Sequence, residues 1–327
     1  MNSRDRVMKT IRHEAADRVP LNVWIYRPDV EKACVRKYGS LDAFYDAMHT
    51  DIYTGYTHAL RDLFARRPDE RVRFSLEKLS HLEFPDPADA RVYAPHAHSS
   101  SSVEEAVAKY HGKGKAVFGH VWGVGETIQG LMGIEAMFEC MATDRDEMKR
   151  LFQRAGEWSA EVARRIIGLG VDVVEISDDW GSTRALMFSP RDWRDLIYPA
   201  EKIIVSTARK LDTPVSLHSD GYIYDILPGI VEMGINILHP LQTSAGMDQR
   251  KVKKEFGDRL CLYGGLDVTH TLPRGTDEEI RAEVLEKMET LKPNGGYIFC
   301  TSHSVQEDTP LERVELAYRI AWENSVY

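Results

Sequence analysis

Short apolar segments alternate with longer amphipathic ones through the last two thirds of the chain. Six short runs of mostly apolar residues predict buried β-strands, at 115–121, 171–176, 214–217, 236–241, 260–263 and 296–300. Apolar residues recur at helical spacing between them, and the predicted helices lie at about 143–169, 189–211, 225–234, 248–256 and 276–291, with a last helix from Thr309. This alternation is typical of a parallel sheet with helical crossovers.

The first third of the chain has a less regular pattern. Residues 4–15 predict a short helix and residues 19–26 predict a strand. Residues 62–113 are polar and rich in proline and serine, so we expect loops with short elements there. Neither a long linker nor an internal repeat interrupts the pattern, so we expect one domain over residues 1–327.

A (β/α)8 barrel, the TIM barrel, fits this pattern better than a doubly wound sheet. With the strands expected in the first third, the strand count approaches that of a barrel. A dinucleotide-binding sheet needs a glycine-rich loop after a strand, and the segment GVGETIQG lacks a third glycine at the required spacing. The sequence therefore predicts an α/β fold, a single (β/α)8 barrel with an irregular N-terminal third.

Charge and composition narrow the functional classes. The net charge is −9, so we expect no nucleic-acid partner and no general attraction to anionic membranes. The N-terminus is charged without an apolar core, and no stretch approaches about 18 apolar residues, so we expect neither a signal peptide nor a membrane span. The four cysteines lie far apart without a CxxC pair, which favours a reduced, cytoplasmic location.

Polar residues collect where the predicted strands end. Barrel enzymes build their sites at the C-terminal ends of the strands, so these residues are the candidates for binding and catalysis. The set consists of His120, Trp122, Glu126, Glu175, Asp178, Asp179, His218, Asp220, His239, Gln242, Asp267 and His303. Acids and histidines at six successive strand ends predict a functional site on this face of the barrel.

His218 and Asp220 are the first candidates for metal binding. They lie two residues apart, so in an extended segment their side chains face the same way. Imidazole and carboxylate suit zinc or another divalent ion, and His303 on the last strand could supply a third ligand. The equal alternative is that His218 is a hydrogen-bonded core residue and that Asp220 caps the next turn.

Four further carboxylates lie near the same face. Glu175 is on a strand, and a buried carboxylate there would need a metal or a basic substrate group. Asp178 and Asp179 could bind a metal, orient a substrate cation or act as a base, or they could cap a helix. Asp267 follows two glycines that let a ligand approach the backbone, and its alternative is a turn residue.

The remaining candidates concern substrate binding. Trp122, Trp180 and Tyr222 follow strands and could wall a planar substrate, although aromatic residues at such positions are as often core residues. Glu126, His239 and Gln242 belong to the same predicted set. Arg27, near the first strand, could hold a substrate carboxylate, whereas for Arg18 we expect a salt bridge to a neighbouring acid.

Five segments resemble the uroporphyrinogen decarboxylase superfamily. They are SRDRVMKTIRHEAADRVP, VDVVEISDDWG, PVSLHSDGYIYDILPGIVEMGINILHPLQ, GDRLCLYGGLD and GGYIFCTSHSVQEDTP, and they span nearly the whole chain in family order. In motif the chain is most similar to the corrinoid-dependent methyltransferase branch. The resemblance implies a (β/α)8 barrel with its site at the C-terminal mouth.

The methyltransferase branch binds zinc through a His-x-Cys pair and a second cysteine, and moves a methyl group between a corrinoid protein and a thiol. This chain keeps the histidine as His218, has Asp220 in place of the first cysteine, and has His303 near the second. The resemblance thus implies a divalent metal, expected to be zinc, with Glu175 as a fourth ligand. Such an oxygen- and nitrogen-rich set makes the metal a stronger Lewis acid, which suits an alcohol, phenol ether or folate-type acceptor.

Three functional hypotheses follow. The first is a cytoplasmic metal-dependent methyltransferase or demethylase with a small-molecule substrate, in which Asp179, Asp178 and Asp267 are catalytic. A corrinoid protein is its expected partner, because the chain has no D-x-H-x-x-G motif of its own, and a homodimer is a candidate assembly.

The second hypothesis is a decarboxylase acting on a carboxylate, with Arg27 as anion clamp and Asp51 as acid. The family's decarboxylases carry an R-Q-A-G-R type motif. Only its first arginine has a counterpart in this chain, which is Arg27. We therefore expect no decarboxylation of uroporphyrinogen. The third hypothesis is a ligand-binding barrel without catalytic activity.

Overall fold

A computed structural model describes residues 1–65, 73–95 and 101–327. In this part of the chain, seven parallel strands form one sheet in sequential order. They are β1 Ile52–Gly55, β2 Ala116–Trp122, β3 Val173–Ser177, β4 Val215–His218, β5 Ile237–His239, β6 Cys261–Leu266 and β7 Tyr297–Thr301. Residues 66–72 and 96–100, inside the predicted loop region 62–113, lie outside the described residues.

Helices follow the strands and surround the sheet. The α-helices are α1 Ser3–Ile11, α2 Pro28–Tyr38, α3 Leu41–Ala47, α4 Leu60–Phe64, α5 Leu76–His81, α6 Val103–Gly112, α7 Val124–Met132, α8 Ile134–Thr143, α9 Arg145–Leu169, α10 Pro190–Asp192, α11 Tyr198–Lys210, α12 Leu227–Met233, α13 Gln249–Phe256, α14 Thr271–Arg274, α15 Asp277–Leu291 and α16 Leu311–Glu323. A π-helical turn, Trp193–Ile197, joins α10 to α11. In the described residues, no helix has both the length and the apolar character needed to cross a bilayer.

The segment 20–22 takes the eighth position of the barrel, between β7 and β1. The Asn22 N–H donates to the Phe299 carbonyl and the Phe299 N–H donates to the Pro20 carbonyl, each at 2.9 Å. On its other side, the Asp51 N–H donates to the Leu21 carbonyl at 2.7 Å. The strand predicted at 19–26 is therefore only a short segment that forms a few backbone hydrogen bonds. These bonds close the sheet between β7 and β1, so the predicted barrel fold is confirmed.

Side chains of the strands alternate between the barrel interior and the surrounding helices. Val173 belongs to an inner apolar cluster, whereas Val174 and Ile176 belong to the outer cluster that contacts the helices. Because residues two apart on a strand share a face, Glu175 lies on the inner side with Val173. Helix α1 adds Val7 to the inner cluster and, by its contacts with β1, β2 and β7, covers the amino end of the barrel. The opposite end is left as the mouth.

Candidate functional site

Three side chains with metal-ligand atoms converge where β3 and β4 end. Nε2 of His218 lies 3.7 Å from Oδ1 of Asp179 and 3.8 Å from Oδ1 of Asp220. Each residue offers one metal-ligand atom, and these three atoms all lie within 4.8 Å of one another. Parallel strands bring these residues together because their carboxyl ends meet at the same edge of the sheet. We call Asp179, His218 and Asp220 the mouth cluster.

The mouth cluster concentrates negative charge with few hydrogen-bond donors. Oδ1 of Asp179 accepts the Asp220 N–H at 2.8 Å, whereas Oδ1 of Asp220 is buried and has no hydrogen-bond partner. Burial raises the pKa of Asp220, and the nearby Asp179 carboxylate raises it further, while His218 opposes both effects. A cation placed between these groups would remove the repulsion and satisfy the free oxygen.

His218 is hydrogen-bonded to a second histidine, His239. Its Nδ1 lies 2.7 Å from Nδ1 of His239, a distance at which the two rings share one hydrogen bond. His239 is fully buried, with its ring centroid 4.3 Å from that of Trp24 and 4.3 Å from that of Tyr263. Burial lowers the pKa of His239 well below its usual value, so this ring is neutral. His239 therefore supports His218 from below and does not have the predicted substrate-contacting position.

His303 lies beside the mouth cluster. Its Nε2 is 3.3 Å from Oδ2 of Asp220, and its ring centroid is 6.4 Å from that of His218. The Tyr26 hydroxyl lies 3.1 Å from the same Nε2. Burial and the carboxylates of Asp220 and Asp179 raise the pKa of Tyr26, so it remains a phenol. We did not predict Tyr26 from the sequence, although it is the last residue of the predicted strand 19–26.

Two glutamates lie near the cluster in different positions. Glu175 is fully buried in the barrel, where burial raises its pKa to about 7 and one carboxylate oxygen has no partner. It is not a member of the three-residue cluster. Glu126 accepts a hydrogen bond from the Ser177 hydroxyl at 2.9 Å, and burial together with Asp179 raises its pKa well above the usual value. Both glutamates therefore favour their protonated forms more than free carboxylic acids do.

Asp178 is a helix cap and not a residue of the mouth. Its carboxylate accepts the N–H groups of Gly125 at 2.9 Å and Glu126 at 2.6 Å, in the first turn of α7. It also accepts the indole N–H of Trp180 at 2.8 Å, and both residues are fully buried. The predicted catalytic role of Asp178 and the predicted substrate contact of Trp180 are therefore corrected, because both side chains belong to the core.

Asp267 is likewise occupied by its own loop. Its carboxylate accepts the N–H groups of Thr269, His270 and Thr271 at 2.8–3.0 Å, and the Thr269 hydroxyl at 2.7 Å. These bonds outweigh burial and lower the pKa of Asp267. Its position is that of a turn residue before α14, in place of the predicted catalytic one.

The groups predicted for a decarboxylase are both occupied by ion pairs. Asp51 is fully buried before β1, at the amino end of the barrel, where Arg6 and Arg18 contact its carboxylate at 2.7 and 2.8 Å. The expected salt bridge of Arg18 is thus confirmed, and Asp51 cannot act as an acid at the opposite end. Arg27 forms an exposed ion pair with Glu307 in place of the predicted open anion site.

The other predicted substrate-binding residues lie at the ends of strands or in the loops that follow them. The Trp122 indole N–H donates to the Thr57 carbonyl at 3.1 Å. Oε1 of Gln242 accepts the N–H of Gly221 at 2.8 Å, and so supports the loop that carries Asp220. The Tyr222 hydroxyl donates to Asp225 at 3.1 Å. Their contact with a substrate stays a prediction.

Known proteins resemble this chain in sequence. The family model described as Uroporphyrinogen decarboxylase (URO-D) matches residues 67–322. A uroporphyrinogen decarboxylase of Trichodesmium erythraeum (strain IMS101) is 27% identical over 188 residues, which cover 57% of this chain and 50% of that protein. One of Pelodictyon phaeoclathratiforme (strain DSM 5477 / BU-1) is 30% identical over 164 residues, which cover 49% and 44%. The chain therefore spans about half the length of these curated relatives or less.

A solved structure of a methyltransferase from Methanosarcina mazei has the same fold. It matches with a TM-score of 0.74 and 18% identity, and the match covers 99% of both chains. At this identity the likeness concerns the fold alone, whereas the family model covers well over half of the sequence. The chain therefore belongs to the uroporphyrinogen decarboxylase (URO-D) family.

Proposed function

We propose that the protein is a metal-dependent methyltransferase or demethylase. It would move a methyl group between a small substrate, or a folate or thiol acceptor, and a corrinoid held by a partner protein. The observation that carries the proposal is the convergence of Asp179, His218 and Asp220 at the C-terminal mouth. Because the methyltransferase from Methanosarcina mazei shares this fold, methyl transfer is the reaction to test first.

The mouth cluster fits a divalent cation on chemical grounds. Two carboxylates and one imidazole are the ligand types that zinc and harder divalent ions accept. The buried Oδ1 of Asp220 has no partner, which is costly for a carboxylate unless a cation or donor is close. When bound, the ion would act as a Lewis acid on the atom that carries or receives the methyl group.

The chain's own residues would orient the substrate around this position. Tyr26 keeps its hydroxyl proton because burial and two carboxylates raise its pKa, so it can donate a hydrogen bond to a substrate oxygen or nitrogen. Burial, together with repulsion from the Asp179 carboxylate, raises the pKa of Glu126, so it too favours the protonated form. The mouth therefore offers both hydrogen-bond donors and acceptors to a small polar substrate.

Decarboxylation of a smaller carboxylate is the second candidate, and the names of the curated relatives favour it. Its weakness is the placement of the groups it needs. Asp51 lies at the far end of the barrel, and the Arg27 guanidinium is already paired with Glu307. A substrate carboxylate would have to displace Glu307 to reach Arg27.

Metal analysis followed by a methyl-transfer assay tests the proposal. Protein purified without chelator should contain about one divalent ion per chain, because the cluster can hold one ion. It should then transfer a methyl group from a methylated alcohol, phenol or amine to free cob(I)alamin, recorded as the absorbance change to methylcobalamin.

The variants His218→Ala and Asp220→Asn should lose both the ion and the transfer. The matched controls His270→Ala and Asp258→Asn change exposed residues that do not belong to the mouth cluster and should keep both. Wild-type protein without a bound ion would contradict the metal site. A stoichiometric ion without turnover of any methylated compound would favour the ligand-binding barrel.

A further inference from the structure

The Gln306 side chain has a defined orientation beside His303. Its amide nitrogen lies 2.6 Å from the Ser304 carbonyl, an atom that only accepts hydrogen bonds. The same nitrogen is 3.4 Å from Nδ1 of His303. An amide nitrogen carries two hydrogens and does not accept, so its second hydrogen is directed at Nδ1. With Gln306 donating to Nδ1, a neutral His303 carries its ring proton on Nε2, and the Tyr26 oxygen at 3.1 Å can accept it.

That proton faces the mouth. Nε2 of His303 is 3.3 Å from Oδ2 of Asp220 and 3.1 Å from the Tyr26 oxygen. This contact with Oδ2 leaves Oδ1 of Asp220, the buried oxygen without a hydrogen-bond partner, on the side of His218. A protonated Nε2 has no lone pair to offer a metal ion, so His303 in this tautomer is not a ligand.

We infer that His303 is a positioning residue, whose Nε2 lies against one carboxylate oxygen of Asp220 and so directs the other oxygen toward the cation position. The inference rests on the proposed metal site and reduces its protein ligands to Asp179, His218 and Asp220. The resemblance in sequence implied a ligand at His303, whereas its contacts and its absence from the converging three-residue group favour a different role. Three protein ligands leave coordination positions open to the substrate, as a catalytic metal requires.

The tautomer of His303 can be measured without metal. Long-range ¹H–¹⁵N correlation spectra of metal-free, ¹⁵N-histidine-labelled protein distinguish a proton on Nε2 from one on Nδ1. The signals of His303 are those that disappear in His303→Gln. We expect the neutral ring of His303 to show the Nε2–H pattern, and the Nδ1–H pattern would overturn the inference whether or not the protein binds metal.

The number of coordinated imidazoles is the second measurement. Pulsed electron paramagnetic resonance of the Cu²⁺-loaded protein should show one imidazole in wild type and in His303→Gln, and none in His218→Gln. Two imidazoles in wild type would overturn the inference. Failure of wild type to bind Cu²⁺ or Zn²⁺ would contradict the proposed function, and the tautomer would then decide the role of His303.

Zinc affinity separates a positioning role from ligation. His303→Ala should weaken Zn²⁺ binding about 10- to 100-fold, the effect of losing a group that orients a ligand. His303→Gln should recover most of this loss, because its amide N–H can donate to Asp220 from a similar position. The exposed control His270→Gln should bind as wild type does. A loss in His303→Gln as large as in His218→Gln would identify His303 as a ligand.

Discussion

The adjacent residues Asp178 and Asp179 have different roles although the sequence presents them as a pair. Asp178 is buried under the first turn of α7, and Asp179, whose side chain is 33% exposed, belongs to the mouth cluster. The residue types alone cannot separate them, because both follow the same strand. The difference depends on where α7 places its N–H groups, and those come from a segment distant in sequence.

Substitution by asparagine should separate these two roles. Asp178→Asn places an amide group among three N–H donors, and each unsatisfied buried donor costs about 1–3 kcal/mol, so we expect the free energy of unfolding to fall by about 2 kcal/mol or more. Asp179→Asn should keep the stability of wild type and lose bound metal and activity. Urea denaturation and metal analysis of both variants measure this. A stable Asp178→Asn variant without activity would reverse the assignment.

Asp51 offers a second test at the level of a single residue. Its carboxylate is buried between Arg6 and Arg18, and removing one member of a buried ion pair typically costs about 3–5 kcal/mol. We expect Asp51→Asn to lower the denaturation midpoint strongly, while the folded fraction keeps the metal content of wild type. Loss of activity with unchanged stability would instead support Asp51 as the acid of a decarboxylase.

The strands were easier to predict from the sequence than the helices of the barrel wall. Each strand is a short apolar run, and strands from 116 to 301 lie within a few residues of their predicted positions. Helices α7 and α8 were missed, because α7 is buried on most of its surface and has no polar stripe to mark its period. The start of α7 also lacks a capping residue that the sequence could show. Its Val124 N–H donates instead to Glu201 of α11, at 3.1 Å.

Two glycines of α9 should respond in opposite ways to alanine. A Cβ added at Gly156 would lie 2.5 Å from the Ala200 carbonyl oxygen in α11, whereas at Gly168 nothing lies within 4 Å. Overpacking costs about 1–3 kcal/mol, so Gly156→Ala should lower the free energy of unfolding by that order. Gly168→Ala should raise it by about 0.5 kcal/mol through helix propensity. Equal stability of the two variants in urea would contradict the close packing of α9 on α11.

At the scale of the whole molecule, the rule that barrel sites lie at strand ends was enough to bring Asp179, His218 and Asp220 together from the sequence. It failed where the barrel departs from eight regular strands. Tyr26 and Trp24 follow a segment held by only a few hydrogen bonds, so the sequence pattern did not show that they reach the site. The strand-end rule also does not tell which of these residues bond to their own loop instead of facing the mouth, as Asp267 does.

The charge of the whole molecule yields the last prediction. Uroporphyrinogen carries many carboxylates, whereas this chain has a net charge of −9 and presents the carboxyl groups of Asp179 and Asp220 at the mouth. With Arg27 paired to Glu307, we expect no coproporphyrinogen in an anaerobic assay in which the Trichodesmium erythraeum decarboxylase serves as positive control. Added salt screens repulsion between exposed charges, so the assay should also be run at high ionic strength. We expect no product there either, because Arg27 remains the only counterpart of the decarboxylase arginine motif. Product formation that disappears in Arg27→Ala would show that Arg27 leaves Glu307 to bind the substrate, and would make the protein a decarboxylase.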